Sequence, residues 1–514
     1  MADSKREIER KYEATAETRL PDLSRVAGVS AVAHRGVSEL DAVYYDTEDL
    51  RLAAGSLTLR RRTGGSDAGW HLKFPVASGI RDELREPLSG TLPSSLAGLL
   101  RSRVRKRELV PVVQLRTARD VHHLLDAEGA LLAEVSIDTV RAERLTGGSA
   151  TAAWTEIEVE LADDGDPAFL DAVERRLRKA DVRPSASPSK LARALAETAP
   201  ERKPDKGAGG RTGQPTAGDH VLAYIRHQTE AIVTLDPAVR RDLPDSVHQM
   251  RVATRRLRSA MRTYRKILDR GVTDPLGAEL KWLAAELGVD RDQEVLDARL
   301  RARLDALPGT LILGPVRGRL RIWSAARRGG SRRRTVGVLD GKRYLALLES
   351  LDALLAAPPL LPAASRAPEQ ALPRAVLREY ERLTTRVGHA LELPPGHDRD
   401  LALHDARKAA KRARYAAEAA RPAIGKPAMR FAKRMKDLQT LLGDHQDSVV
   451  ARDALRTLAV QAHAAGEPAF TWGLLYGREE ASAAAEEREL PEVWKRASRP
   501  RLRAALEGWA PGYA

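Results

Sequence analysis

At 514 residues, with 43% apolar and 31% charged side chains, the chain is too long for one ordinary core and reads as two or three soluble domains. A formal charge of +15 calls for an anionic partner, and aromatic residues at only 4% weigh against single-stranded nucleic acid, which stacks on such rings. The lack of cysteine excludes disulfides, thiolate nucleophiles and cysteine zinc sites; with no apolar leader after Asp3 and no run of about 18 apolar residues, the expectation is a cytoplasmic protein without a membrane span.

Residues 1–160 read as short strands separated by turns, at 5–13, 41–46, 56–62, 69–75, 81–87, 112–125, 130–144 and 151–161. Thr63-Gly-Gly-Ser-Asp67 and Glu128-Gly129 supply hairpin connections. Side chains alternate faces along a strand, so Glu7, Glu9 and Lys11 share one face, as do Arg60 and Arg62, and Glu156, Glu158 and Glu160. Arg81, Glu83 and Arg85 do the same. One such strand is an ordinary solvated sheet face. Several, carrying both signs of charge, suggest a closed antiparallel barrel whose interior faces a charged ligand, because small barrels otherwise fill with apolar side chains. Helices are predicted over 166–180, where Asp166-Pro167 supplies an N-cap and a first-turn proline, and over 189–198.

Glu7-x-Glu9-x-Lys11 near the chain start resembles the signature of the CYTH family, the triphosphate tunnel metalloenzymes. Arg60-Arg-Arg62, Trp70-His-Leu-Lys73, Arg81-x-Glu83-x-Arg85, Glu134-x-x-x-Asp138, Glu156-x-Glu158-x-Glu160 and Ser189-Lys190 follow in the family's order. The resemblance covers nearly all of residues 1–200. It implies a tunnel that hydrolyses a triphosphate with Mg²⁺ or Mn²⁺, and it places Lys73 as the tunnel lysine and Lys190 as a late lysine.

The cations expected on phosphate oxygens are Lys11, Arg60, Arg62, Lys73, Arg85, Arg119 and Lys190, with Arg81 able to join them. Of these Lys11, Arg60, Arg62 and Lys73 are expected to act in catalysis. Carboxylates would repel such a substrate unless they hold hard cations. The candidates are Glu7, Glu9, Glu83, Asp138, Glu156, Glu158 and Glu160, with Glu134 beside them; the resemblance puts Glu7, Glu9, Glu156 and Glu158 with the metals most directly. His71 shares a face with Lys73 and is the histidine expected to reach the interior; His34, His122 and His123 read as surface or sheet residues.

Residues 200–218 are rich in Gly and Pro and lack apolar periodicity, which predicts a flexible linker between a domain at 1–199 and one at 219–510. From residue 219 the period becomes helical. His248, Arg251, Arg255, Arg258 and Arg262 are spaced 3, 4, 3 and 4, one stripe on a helix, with Met250, Leu257, Met261, Tyr264 and Leu268 on the other side. His404, Arg407, Lys411 and Arg414 repeat the spacing. These two stretches resemble the CHAD family, an α-helical domain that binds polyphosphate. Each is followed about 40 residues on by Leu-Gly-x-x-x-Asp, at 287–292 and 442–447. The repeat predicts an all-α domain of two pseudo-symmetric helical bundles, with breaks at the two glycines, Asp292 and Asp447 as helix N-caps, a basic loop over 329–341 and a joining segment over 356–373.

The whole chain is therefore expected to be an α+β multidomain protein. It would hydrolyse inorganic tripolyphosphate in the barrel and bind polyphosphate on the helical stripes, with association to polyphosphate granules. Within enzymes, adenylate cyclase or thiamine triphosphatase is the alternative; outside them, a polyphosphate-binding module without turnover. The oligomeric state is not legible.

Overall fold

The computed structural model describes residues 3–199, 214–328 and 331–508. Two compact units divide at Gly210–Arg211, and most of the expected linker, residues 200–213, lies outside the described residues.

The first unit has eight strands: β1 (Asp3–Ala14), β2 (Ala31–Asp46), β3 (Thr58–Thr63), β4 (Gly69–Ala77), β5 (Ile80–Pro87), β6 (Val110–Leu125), β7 (Leu131–Arg144) and β8 (Thr151–Leu161). They close on themselves in the order β1-β5-β4-β3-β2-β6-β7-β8, every pair antiparallel. Closure runs through β1, whose first half (Asp3–Ile8) pairs with β5 and whose second half (Glu9–Ala14) pairs with β8. Helices α1 (Arg51–Ala54), α2 (Ser94–Val104), α3 (Ala168–Lys179) and α4 (Lys190–Glu197) pack around this ring.

Much of the apolar core lies outside the ring. On one side Leu124, Val135, Ile157, Val159 and Leu161 pack with Leu170, Val173 and Leu177 of α3. On another Leu59, Leu72 and Leu84 pack with Leu96, Leu99 and Leu100 of α2. A third cluster, Leu115, Val140, Ala142 and Trp154 with Leu191 and Ala194 of α4, alternates in phase with the inward charges and fills one end of the interior. The middle is left to charged side chains, which is the inversion that the strand pattern predicts.

Two elements differ from expectation. Strand β2 begins ten residues before the predicted 41, because its outer half is exposed on both faces and carries no apolar alternation. Helix α2 was not predicted, although Leu96, Leu99 and Leu100 hold helical spacing.

The second unit is helical: α5 (Ala217–Arg240), α6 (Ser246–Thr263), α7 (Arg270–Glu286), α8 (Gly288–Asp305), α9 (Val316–Arg328), α10 (Ser331–Asp340), α11 (Lys342–Ala356), α12 (Pro368–Glu392), α13 (His397–Ile424), α14 (Lys426–Ala464), α15 (Phe470–Ala497) and α16 (Pro500–Glu507). Helix α5 starts two residues before the predicted boundary, where Thr216 and Asp219 form a reciprocal cap. Basic helices α6 and α13 come from the two repeats. Instead of two bundles with separate cores, one continuous cluster joins both repeats, from Met250, Leu257 and Tyr264 through Ala406, Ala413 and Ala420 to Phe431 and Leu438. A smaller core packs α8 and α9 on the distal halves of α14 and α15.

Three local expectations are corrected. Residues 331–340 are helix, not loop, and carry Arg332, Arg333 and Arg334. Gly443 lies inside the unbroken α14, whereas the break expected at Gly288 is present, between α7 and α8. Neither Asp292 nor Asp447 is an N-cap; both sit inside helices and face arginines of the basic stripes.

Candidate phosphate site

The ring interior is a narrow cavity of about 70 Å³, lined by eight basic side chains (Lys11, Arg60, Arg62, Lys73, Arg81, Arg85, Arg119, Lys190) against five acidic ones (Glu7, Glu9, Asp67, Glu158, Glu160). A wider cavity of about 510 Å³ shares Arg62, Asp67, Arg85, Arg119 and Glu160 with it, and one of about 640 Å³ shares Glu9, Lys11 and Arg81, so the charged middle is approached from two sides.

One wall comes from β7, β8 and the start of α4. Carboxyl oxygens of Asp138, Glu156 and Glu158 lie within 4.8 Å of one another. The register explains this: Asp138 faces Glu156 and Ser136 faces Glu158 across β7–β8. Lys190 Nζ is 2.8 Å from Asp138, 2.9 Å from Glu156 and 2.5 Å from Glu158. Arg119 grips Asp138 with two nitrogens at 2.8 and 2.6 Å and reaches Glu158 at 2.7 Å. Lys11 bonds Glu158 and lies 3.3 Å from Glu9. Ser189 caps α4 through the Ala192 N–H, which orients Lys190 at the helix start.

The opposite wall comes from β1, β3, β4 and β5. Lys73 Nζ is 2.5 Å from Glu7 and 3.5 Å from Glu83; Arg85 reaches Glu83 at 2.5 Å and Glu7 at 3.6 Å. Arg60 lies 3.7 Å from Glu83 and donates to the Tyr44 hydroxyl at 3.4 Å. Arg62 pairs with Asp67. His71 places Nδ1 2.8 Å from Glu83 and Nε2 2.8 Å from the Asp67 carbonyl.

Burial works against every charge here, and the neighbours decide the outcome. Burial raises Glu158 and Glu83, but Lys11, Lys190 and Arg119 around the first, and Lys73, His71 and Arg60 around the second, hold both well below the usual range. Burial pushes Glu7 up to about 7, with Lys73 opposing and Glu83 and Glu160 reinforcing. Burial beside Arg60 and Arg62 lowers His71 to about 4 despite its contact with Glu83. Burial with Arg60 and Arg119 pushes Arg62 down to about 9, against its pairing with Asp67. Lys190 is raised, because its three carboxylates outweigh burial.

In the helical unit the two stripes face one another. Lys411 of α13 is lowered to about 7, first by burial and then by Arg407, Arg255, Arg251 and Arg414, so it sits among cations from both helices. Arg258 is lowered by burial, Arg262 and Arg412. Arg251 pairs with Asp292 at 2.7 Å, and Arg407 lies 3.7 Å from Asp447. The motif glycines now have a reason. A Cβ on Gly288 would stand 2.9 Å from the Arg251 guanidinium, and one on Gly443 would stand 3.1 Å from that of Arg407. They give a guanidinium room to lie across a helix.

Family models agree with this division: the CYTH domain matches residues 5–195 and the CHAD domain residues 223–456. Over 491 residues the chain is 38% identical to the uncharacterized proteins MT2285 and Rv2226 of two Mycobacterium tuberculosis strains, covering 92% of this chain and of each relative. The chain belongs to the CYTH–CHAD family. Among solved structures it resembles PptA from Streptomyces chartreusis (22% identity, TM-score 0.46, 55% of this chain and 100% of that one). It also resembles the CHAD domain from the plant Ricinus communis (24% identity, TM-score 0.42, 57% and 92%).

In this CYTH–CHAD chain the ring brings together every predicted inward cation, and the predicted acids divide between walls. Asp138, Glu156 and Glu158 form the trio, Glu7 and Glu83 face it, and Glu9 lies by Lys11 and Arg81. Glu160 stands apart, bonded to Lys5 at 2.7 Å, and Glu134 lines the wider cavity beside His123. Sequence reasoning missed Tyr44 and Asp67. Tyr44 and Arg60 lie on two predicted strands, and the structure pairs them directly. Asp67 lies in a turn, where no periodicity marks it.

Proposed function

We propose that the CYTH ring of this chain is a metal-dependent phosphoric anhydride hydrolase whose preferred substrate is inorganic tripolyphosphate, and that the CHAD helices bind longer polyphosphate. The observation that carries the reading is the buried carboxylate trio Asp138, Glu156 and Glu158, whose member Glu158 lines a narrow cavity with an excess of basic side chains. Three hard oxygen donors this close suit Mg²⁺ or Mn²⁺, and these three residues would hold it. The bound ion would offset phosphate charge and position or acidify a water.

The chain's own residues supply the remainder. Arg60, Arg62, Lys73 and Arg85 take the substrate's oxygens and stabilise charge on the equatorial oxygens as the terminal phosphoryl group transfers to water. Lys11, Arg119 and Lys190 hold the trio's carboxylates in place. No covalent nucleophile is needed.

The test is phosphate release from tripolyphosphate, ATP and thiamine triphosphate, with Mg²⁺, Mn²⁺ or chelator. Metal-dependent turnover of tripolyphosphate alone supports the proposal, pyrophosphate released from ATP indicates a cyclase, and no turnover of any of the three indicates a binding module.

A further inference from the structure

Outside the ring, one residue beyond Arg119, two strands bring together side chains that the phosphate site does not use. On β6 Arg119, Val121 and His123 line the wider cavity, while Asp120 and His122 point to the other face. Across β2–β6, His34 lies directly opposite His122. A bulge between His34 and Gly36, where Gly36 takes φ 93°, shifts the register so that Val37 faces Asp120 and His34 reaches over to it.

His34 Nε2 is 2.6 Å from Asp120 Oδ1, His122 Nε2 is 3.9 Å from Asp120 Oδ2, and the two imidazole centroids are 4.9 Å apart. One ligand atom from each of the three lies within 4.8 Å of the others. Metal–nitrogen and metal–oxygen bonds near 2.0–2.1 Å in a tetrahedron separate ligand atoms by about 3.3 Å. The two nitrogen–oxygen separations, one to each oxygen of Asp120, bracket that value, and His34 is the most exposed of the three. His122 Nδ1 is buried and has no hydrogen-bond partner, so no bond from that nitrogen holds the ring in its present orientation.

We propose that His34, Asp120 and His122 form a binding site for a divalent transition ion of the Zn²⁺ class on the outer face of the ring, separate from the Mg²⁺/Mn²⁺ carboxylates inside. Two imidazoles and one carboxylate suit Zn²⁺, Co²⁺, Ni²⁺ or Cu²⁺, whereas all-oxygen sets suit Mg²⁺. Three protein ligands leave a fourth position open to water or an anion.

The experiment is a Co²⁺ titration of the full-length, chelator-stripped protein in excess Mg²⁺, followed by visible absorption and then by Zn²⁺ displacement. It is repeated with His34→Ala and His122→Ala, and with Glu158→Gln to remove any contribution from inside the ring. The expected result is one tetrahedral-type Co²⁺ spectrum per chain, displaced by Zn²⁺, kept in Glu158→Gln, and weakened at least about tenfold in either histidine variant, since even residues behind the ligands change affinity that much. His34 is exposed, so its variant should retain the wild-type thermal unfolding profile in chelator, which separates ligand loss from misfolding. A Co²⁺ signal unchanged in His34→Ala, lost in Glu158→Gln, or absent in the wild type would overturn the proposal.

Discussion

Replacing Lys190 by methionine tests the reading of the trio as a cation site. Its ammonium lies 2.5–2.9 Å from three carboxylates that are almost wholly buried. At an effective dielectric near 20, one such contact is worth roughly 6 kcal/mol of Coulomb energy before desolvation is charged against it. Measured losses on removing one partner of a buried pair are smaller, about 3–5 kcal/mol, because what remains is uncompensated charge. Arg119 and Lys11 remain beside Glu158, which favours the lower end. For a unit of this size that corresponds to a fall on the order of 10 °C in Tm. The decisive measurement is the Tm of wild type and Lys190→Met in chelator and in saturating Mn²⁺. The variant's carboxylates have lost their resident cation, so Mn²⁺ should raise its Tm several degrees more than it raises that of the wild type. Equal gains in the two proteins would refute the assignment of Asp138, Glu156 and Glu158 as metal ligands.

Other outcomes follow from the helical unit. Lys411 titrates near 7 in the free protein, far below an exposed lysine, and a bound polyanion must raise it. Polyphosphate binding should therefore take up a proton between about pH 7 and 9 and weaken as pH rises through that window; calorimetry in buffers of different ionisation enthalpy should show the uptake, and Lys411→Met should abolish it. The same shift acts on folding with the opposite trend, since the unfolded lysine binds the extra proton: the Lys411 contribution to stability improves as pH rises from 7 toward its ordinary value. Gly443→Val should push the Arg407 guanidinium off α14 and cut polyphosphate affinity as much as Arg407→Ala, with helical circular dichroism retained; normal affinity would mean that the glycine serves another purpose. Phe431→Ala removes a fully buried ring from the core common to both repeats, costs about 3–5 kcal/mol, and should destabilise the whole helical unit in one calorimetric transition, whereas two separate bundles would show only one half shifted.

Much of the phosphate site was legible because a strand's period of two leaves no choice of face. Once Glu7, Glu9 and Lys11 are inward, Ile8 and Tyr12 must be outward, and both pack in or against the outer cluster. The outer half of β2 escaped because neither of its faces is buried, so no alternation was selected there. Asp67 escaped because a turn has no periodicity, and the Arg62 contact depends on where that turn folds back. The second glycine motif misled for a related reason, whereas the first does mark a helix break. Glycine usually marks a helix end, but at Gly443 it makes space for a side chain arriving from another helix 36 positions earlier in the chain, which no local rule registers.

The sequence by itself determined the division into a strand-built and a helical unit, the inward charges of each strand and the paired basic stripes. All of these follow from periodicity within single segments. Only the tertiary structure decided which charges meet: that Lys190 closes on a trio from β7 and β8, that both repeats share one core, that Asp292 and Asp447 restrain arginines instead of capping helices, and that His34 lies beside Asp120 and His122. Such pairings depend on register, on a bulge and on helix contact between residues far apart in the chain, and those are set by packing, not by local pattern.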